Sequence, residues 1–154
     1  MSETWQIMVA SSDLENRRHL VSILDRQGFG TFCAANVSQC REILDSQNVG
    51  LVFCDRSFAD GDYRDVLAAT AGRKPGPKAR VVLLAAVTDS EQYRRAKDLG
   101  VFEVISAACR PTDVEWMVIR AKRDEQRRAG PLAPTSQAAS AIAAIRERSH
   151  SAGA

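Results

Sequence analysis

Short apolar runs and longer stretches of helical periodicity take turns along the chain. Ile7 to Ala10, Thr31 to Ala34, Leu51 to Cys54, Val81 to Val87 and Val101 to Ile105 are near-continuous apolar runs that predict buried strands. The first ends at the polar turn Ser11, Ser12, Asp13, and the third stops at Asp55. After the first run, Leu14, Leu20, Val21, Ile23 and Leu24 recur near helical spacing as far as Gln27, with Gly28 as the left-handed stop. Asn36 or Ser38 caps a second helix whose inner face includes Val37, Cys40, Ile43 and Leu44 and which ends near Gln47.

Arg56 to Asp62 is polar, holds Gly61 and predicts a loop, and Tyr63 to Ala71 predicts a third helix. Gly72 to Lys78, with two prolines and two glycines, breaks the chain. A fourth helix runs from a cap at Asp89 or Ser90 to Leu99, before Gly100. Pro111 marks the start of the last helix, Thr112 and Glu115 stand at capping-box spacing, and Val114, Met117, Val118 and Ala121 form its inner face.

Strands that alternate with helices predict an α/β fold with a parallel sheet covered on both faces, because parallel neighbours require crossover connections. In a doubly wound sheet of order 2-1-3-4-5, ligands sit beyond the carboxyl ends of the strands, where the order reverses between strands one and three. Asp13 and Asp55 lie close to that point. Residues 1–126 read as one domain. Gly130, Pro131 and Pro134 mark a linker, so that 127–154 read as a linker and an alanine-rich tail, helical or disordered, with little bulk to bury.

The 154 residues, 45% hydrophobic and 26% charged, have the balance of a soluble globular protein large enough to bury its own core. No apolar run approaches the roughly 18 residues of a membrane span. Met1 to Gln6 carries no basic segment followed by an apolar stretch, so the expected location is cytoplasmic. Twenty-one basic and 19 acidic residues leave a net charge of +2, too near balance to predict nucleic-acid or membrane binding. The basic run Arg120 to Arg128 reads as a solvated helix end. Cys33, Cys40, Cys54 and Cys109 are scattered without a Cys-x-x-Cys pair and predict buried thiols rather than a metal site.

The segment Leu51 to Leu67, LVFCDRSFADGDYRDVL, resembles the segment LVLLDxxMPxMDGxxxL of the receiver domains of two-component response regulators. Phe58, Ala59 and Tyr63 replace the methionine, proline and glycine of that pattern. The similarity covers about Trp5 to Lys122, and its downstream half runs without a gap from the fourth strand through Gly100 to the start of the last helix near Pro111. It implies the flavodoxin-like receiver fold, a (βα)5 doubly wound sandwich, with Asp55 as the candidate phosphoacceptor.

Receiver chemistry needs an acid pair after strand one to hold a divalent cation, which screens the carboxylate and the incoming phosphoryl oxygens. Ser11 and Ser12 occupy those slots; sliding the register by one places Asp13 in the second, so Asp13 and Asp55 are the candidate metal carboxylates. Hydroxyls are poorer ligands for a hard dication, which predicts magnesium binding that is weak or absent and no other cofactor. Apart from metal, Ser11 and Ser12 read as helix-capping hydroxyls, and Asp13 equally as a cap.

The family's strand-four threonine or serine corresponds to Ala85, its strand-five lysine to Ala107 and the following proline to Ala108. Its aromatic switch position falls at Ile105, or at Val104 in a shifted reading. Arg110-Pro111 comes three residues too late to replace the lysine. Arg56 either neutralises Asp55 or is solvated.

The implied function is a degenerate receiver, or pseudo-receiver, a non-enzymatic signalling domain that binds a protein partner, such as a sensor histidine kinase. Its face of helix four, strand five and helix five also suits a homodimer. The alternative is a conventional single-domain response regulator phosphorylated at Asp55 by a histidine kinase. A flavodoxin-like cofactor binder is the remaining reading, against which the loop Ser11 to Asn16 offers no glycine for a phosphate and presents Asp13 and Glu15. Direct DNA binding is not expected, since the stretch after the last helix is too short for an appended helix-turn-helix.

Overall fold

A computed structural model describes residues 6–72, 78–86 and 90–129. The chain divides into two compact units, Met1–Ala121 and Lys122–Ala154. In order, the elements are β1 (Gln6–Ala10), α1 (Leu14–Arg26), β2 (Thr31–Ala34), α2 (Val37–Ser46), β3 (Val49–Asp55), β4 (Ser57–Phe58), β5 (Gly61–Asp62), α3 (Tyr63–Ala71), β6 (Arg80–Leu84), α4 (Ser90–Asp98), β7 (Glu103–Ile105) and α5 (Pro111–Ala129). The tail beyond Ala129 and the cap position Asp89 lie outside the described residues.

Five strands form one parallel sheet in the order β2-β1-β3-β6-β7. This is the expected order, since the short antiparallel pair β4-β5 takes two numbers but stands apart. Successive side chains of a strand point to opposite faces, and both faces are dry. On one, Met8, Val52, Cys54, Val81 and Leu83 pack with Val37, Cys40 and Leu44 of α2 and Val66 of α3. On the other, Ile7, Val9, Leu51, Phe53 and Val82 pack with Leu20 and Leu24 of α1 and Val114, Met117 and Val118 of α5. Each such fully buried Val, Leu, Ile, Phe or Met stabilises the fold by about 1.5–3 kcal/mol, before the entropy of ordering the chain is subtracted.

Helix ends follow the chemistry of their residues. Gly28 (φ 84°) and Gly100 (φ 112°) occupy left-handed backbone just past α1 and α4. The amide after each reaches back into its helix, Phe29 N–H to the Leu24 carbonyl and Val101 N–H to that of Ala96, both at 3.0 Å. Both helices thus close in Schellman motifs, for which glycine avoids a Cβ penalty.

Several boundaries differ from expectation. The β6 strand ends at Leu84 rather than at Val87, because its edge partner β7 ends at Ile105, whose carbonyl takes the Ala85 amide at 2.9 Å. The β7 strand begins at Glu103 rather than at Val101, whose amide is already committed to the α4 stop. Thr112 and Glu115 do not form the capping box of α5. With Pro111 as its first residue, Arg110 is at the cap position, and its amide donates to Asp113 Oδ2 at 3.0 Å. Arg56 to Asp62 is not an open loop but contains the β4-β5 ribbon, a two-residue hairpin turn at Ala59 and Asp60. Cys40, Cys54 and Cys109 are buried as expected, but Cys33, on the edge strand β2, is exposed.

Candidate functional site

The register of β1 on β3 pairs Ala10 with Cys54, so the residues that follow, Ser11 and Asp55, emerge side by side at the carboxyl end of the sheet. Ser11 is completely buried. Its hydroxyl donates to Asp55 Oδ2 at 2.7 Å and accepts the Asp13 amide at 3.1 Å. The Ser12 amide adds a second donor to the same carboxylate oxygen at 3.2 Å. From α1, Arg17 Nη1 donates to the Ser11 carbonyl at 2.5 Å. Asp55 is half-buried, and desolvation raises its carboxyl above the ordinary 3.8; the Ser11 and Ser12 bonds oppose that shift, nearby Asp13 adds to it, and Arg17 opposes it.

Asp13 is the N-cap of α1, its Oδ1 accepting the amides of Glu15 at 2.8 Å and Asn16 at 3.2 Å. The capping role falls to Asp13, then, and not to Ser11 or Ser12. A hard dication takes six or more oxygens and prefers carboxylates. Here one neighbouring carboxylate already caps a helix, and the buried hydroxyl brings no charge, so the donor set fits magnesium poorly. No group of three or more His, Cys, Asp or Glu side chains suited to a metal forms among the described residues.

Ala85 follows the end of β6, which pairs Leu84 with Asp55 and with Ile105. Ile105 and Ala107 pack toward the α1-α5 side of the sheet, Val104 toward the α2-α3 side. The turn carrying Ala107 and Ala108 is tied to α1 by His19, whose Nε2 donates to the Cys109 carbonyl at 2.7 Å, and the cap residue Gln27 donates through Nε2 to the Pro111 carbonyl at the start of α5 at 3.1 Å. Arg110 stays exposed beside Asp113. Arg56 is exposed, and the cation acting on Asp55 is Arg17.

Two further groups escape sequence reasoning. Asp60, in the β4-β5 turn, accepts the amides of Val37 at 2.9 Å and Ser38 at 3.1 Å, so it caps the first turn of α2 from a distant loop. The Val37 bond is the main reason its carboxyl titrates below the ordinary 3.8, and it outweighs desolvation. Nothing in the local sequence shows which helix the Asp60 carboxylate reaches. The second is Glu103, on β7, where Oε1 accepts Tyr93 Oη at 2.6 Å and Oε2 accepts Arg120 Nη1 at 3.1 Å, with Lys97 Nζ 4.0 Å away. Burial pushes the Glu103 carboxyl up, but these donors and the Val104 amide together hold it below its ordinary value.

No family model matches the chain, and no curated protein matches it by sequence. Solved structures do match. A CheY-like response regulator receiver domain protein from Methanospirillum hungatei JF-1 aligns with a TM-score of 0.68 at 19% identity, over 82% of this chain and 98% of that one. The receiver domain of NtrX from Brucella abortus gives 0.67 at 19%, over 75% and 97%. The receiver domain of Ssk1 from Saccharomyces cerevisiae, in a structure with the histidine phosphotransfer protein Ypd1, gives 0.64 at 14%, over 75% and 86%. The chain has the receiver-domain fold of two-component response regulators, as the sequence implied.

Proposed function

We propose that the chain is a pseudo-receiver, a non-enzymatic signalling domain that works by binding a protein partner rather than by phosphoryl transfer at Asp55. The observation that carries this reading is Ser11: a buried, neutral hydroxyl is bonded to the one carboxylate where transfer chemistry needs a second acid. Ala85 and Ala107 supply neither hydroxyl nor ammonium for a phosphoryl group. Losing one preorganised donor typically costs about 3 kcal/mol of transition-state stabilisation, and several are missing here. Magnesium binds at Asp13 and Asp55 weakly or not at all.

The proposed partner is a signalling protein, of the sensor kinase or phosphotransfer kind. The Ssk1 receiver domain forms a complex with a phosphotransfer protein, which supports a protein partner for this fold. The docking face is that of α4, β7 and α5, where Trp116 is half-exposed one turn before Arg120; the same face serves a homodimer. Nothing in the charge balance favours nucleic acid or membrane, and no described helix is long and apolar enough to cross a membrane.

Incubation with a small phosphodonor and magnesium, comparing wild type with Asp55→Asn, tests this reading. The expected result is negligible labelling of both. Robust labelling that vanishes in Asp55→Asn would establish the second reading, a conventional single-domain response regulator. What favours that alternative is the position of Asp55 at the sheet mouth, with only Oδ2 engaged by Ser11 and Ser12.

A further inference from the structure

A cleft of about 240 Å³ opens between the β4-β5 ribbon, the start of α3, the end of β6 and α4. It adjoins the Asp55 cluster through Arg56 and Ala85, but none of Ser11, Ser12, Asp13 and Asp55 lines it. Its floor is apolar, formed by Leu83, Ala85 and Ala96. Residue 85 contributes only a methyl group to that floor.

Among the described residues the walls carry three guanidinium groups, from Arg56, Arg64 and Arg95, against one carboxylate, Asp62. That carboxylate is already neutralised: Arg64 Nη2 reaches Asp62 Oδ2 at 2.7 Å and Nε at 3.2 Å. Arg95 makes only a loose exposed pair with Glu91 at 3.7 Å, the kind that contributes little and is easily exchanged. Among the described residues the Arg56 side chain has no bonded partner. Two positive charges are therefore available above an apolar floor.

We propose that this cleft binds a small phosphate monoester, its dianionic head between Arg56 and Arg95 and its apolar body on Leu83, Ala85 and Ala96. Guanidinium forks match phosphate oxygens in pairs, which favours a phosphate over a simple halide. The cavity is smaller than those that hold drug-sized ligands, so the body is about one ring. Such a ligand contacts β6 and α4 together and would give the domain an input that needs no covalent chemistry at Asp55.

The test is an amide NMR titration of the full chain with phenyl phosphate, inorganic phosphate and phenol as separate probes. Phenyl phosphate is expected to give saturable shifts at Ser57, Ala85 and Ala96, with inorganic phosphate and phenol at least about tenfold weaker. The double variant Arg56→Ala/Arg95→Ala, which alters only exposed side chains, should weaken phenyl phosphate about tenfold. Absence of saturable shifts at those amides overturns the proposal. So does unchanged affinity in the double variant, or phenol binding as tightly as its phosphate ester.

Discussion

Ser11 and Asp55, 44 residues apart in sequence, share a 2.7 Å hydrogen bond in which the buried hydroxyl is the donor. The same hydroxyl accepts the Asp13 amide, so one side chain links the end of β1, the cap of α1 and the end of β3. In Ser11→Ala both the Asp13 amide and Asp55 Oδ2 lose a partner away from bulk water. A loss of about 1–3 kcal/mol in urea unfolding is expected, with the Asp55 carboxyl titrating higher still by NMR.

Asp55 itself is held ionised at a cost. Its carboxyl is raised in the folded state, so the penalty is nil below its ordinary 3.8, grows as pH rises through the folded-state value and is complete above it. Asp55→Asn keeps an acceptor oxygen for Ser11 and Ser12 without the charge. It should melt at or above the wild-type temperature at about pH 7.5, with the gain shrinking toward about pH 4. A clearly lower melting temperature at the higher pH would contradict this assignment.

Glu103 has the opposite sign. Its carboxyl is lowered on folding, so it stabilises above its ordinary 4.5 and that contribution is lost as pH falls through the folded-state value. Glu103→Gln should cost about 1 kcal/mol at neutral pH, a figure kept low because Arg120 and Lys97 are each 34% exposed and screened by water. In acid the two proteins should become equally stable.

The Asp60 cap is read best by hydrogen exchange. Asp60→Ala should speed exchange of the Val37 and Ser38 amides several-fold and leave the α1 amides unchanged. The lowered carboxyl places the effect above its ordinary 3.8, and the wild type should lose the same protection as pH falls through the folded value.

Thiol reactivity should separate the cysteines. Burial pushes Cys40 up to about 12, Cys54 well above its ordinary value and Cys109 upward, whereas Cys33 is exposed. An alkylating reagent at about pH 8 should modify Cys33 alone in the native protein, and the remaining three only in denaturant.

Much of this arrangement was legible in the residues. Apolar runs located the five sheet strands, Gly28 and Gly100 located two helix stops, and Asp55 fell at the strand end where the pattern put it. Local chemistry was harder to rank than periodicity. Asn36 and Asp13 won their capping positions, but at α5 Pro111 fixed the start one residue ahead of Thr112 and transferred the cap-side bond to Asp113. The bonds joining distant segments left no trace in spacing: Ser11 to Asp55, Asp60 to α2, His19 to the Cys109 carbonyl. Each depends on which loops the sheet order brings together.

The network around Glu103 constrains whatever docks on that flank. Tyr93, Lys97 and Arg120 all spend polar atoms inside their own chain, and Arg120 also lies over the Phe102 ring, 5.2 Å from its centre. A surface placed against these three side chains therefore finds them already engaged and gains little by offering charges to them. At the proposed docking face, adhesion beside this network would rest on shape and on half-exposed Trp116, and an association of that kind would respond little to added salt.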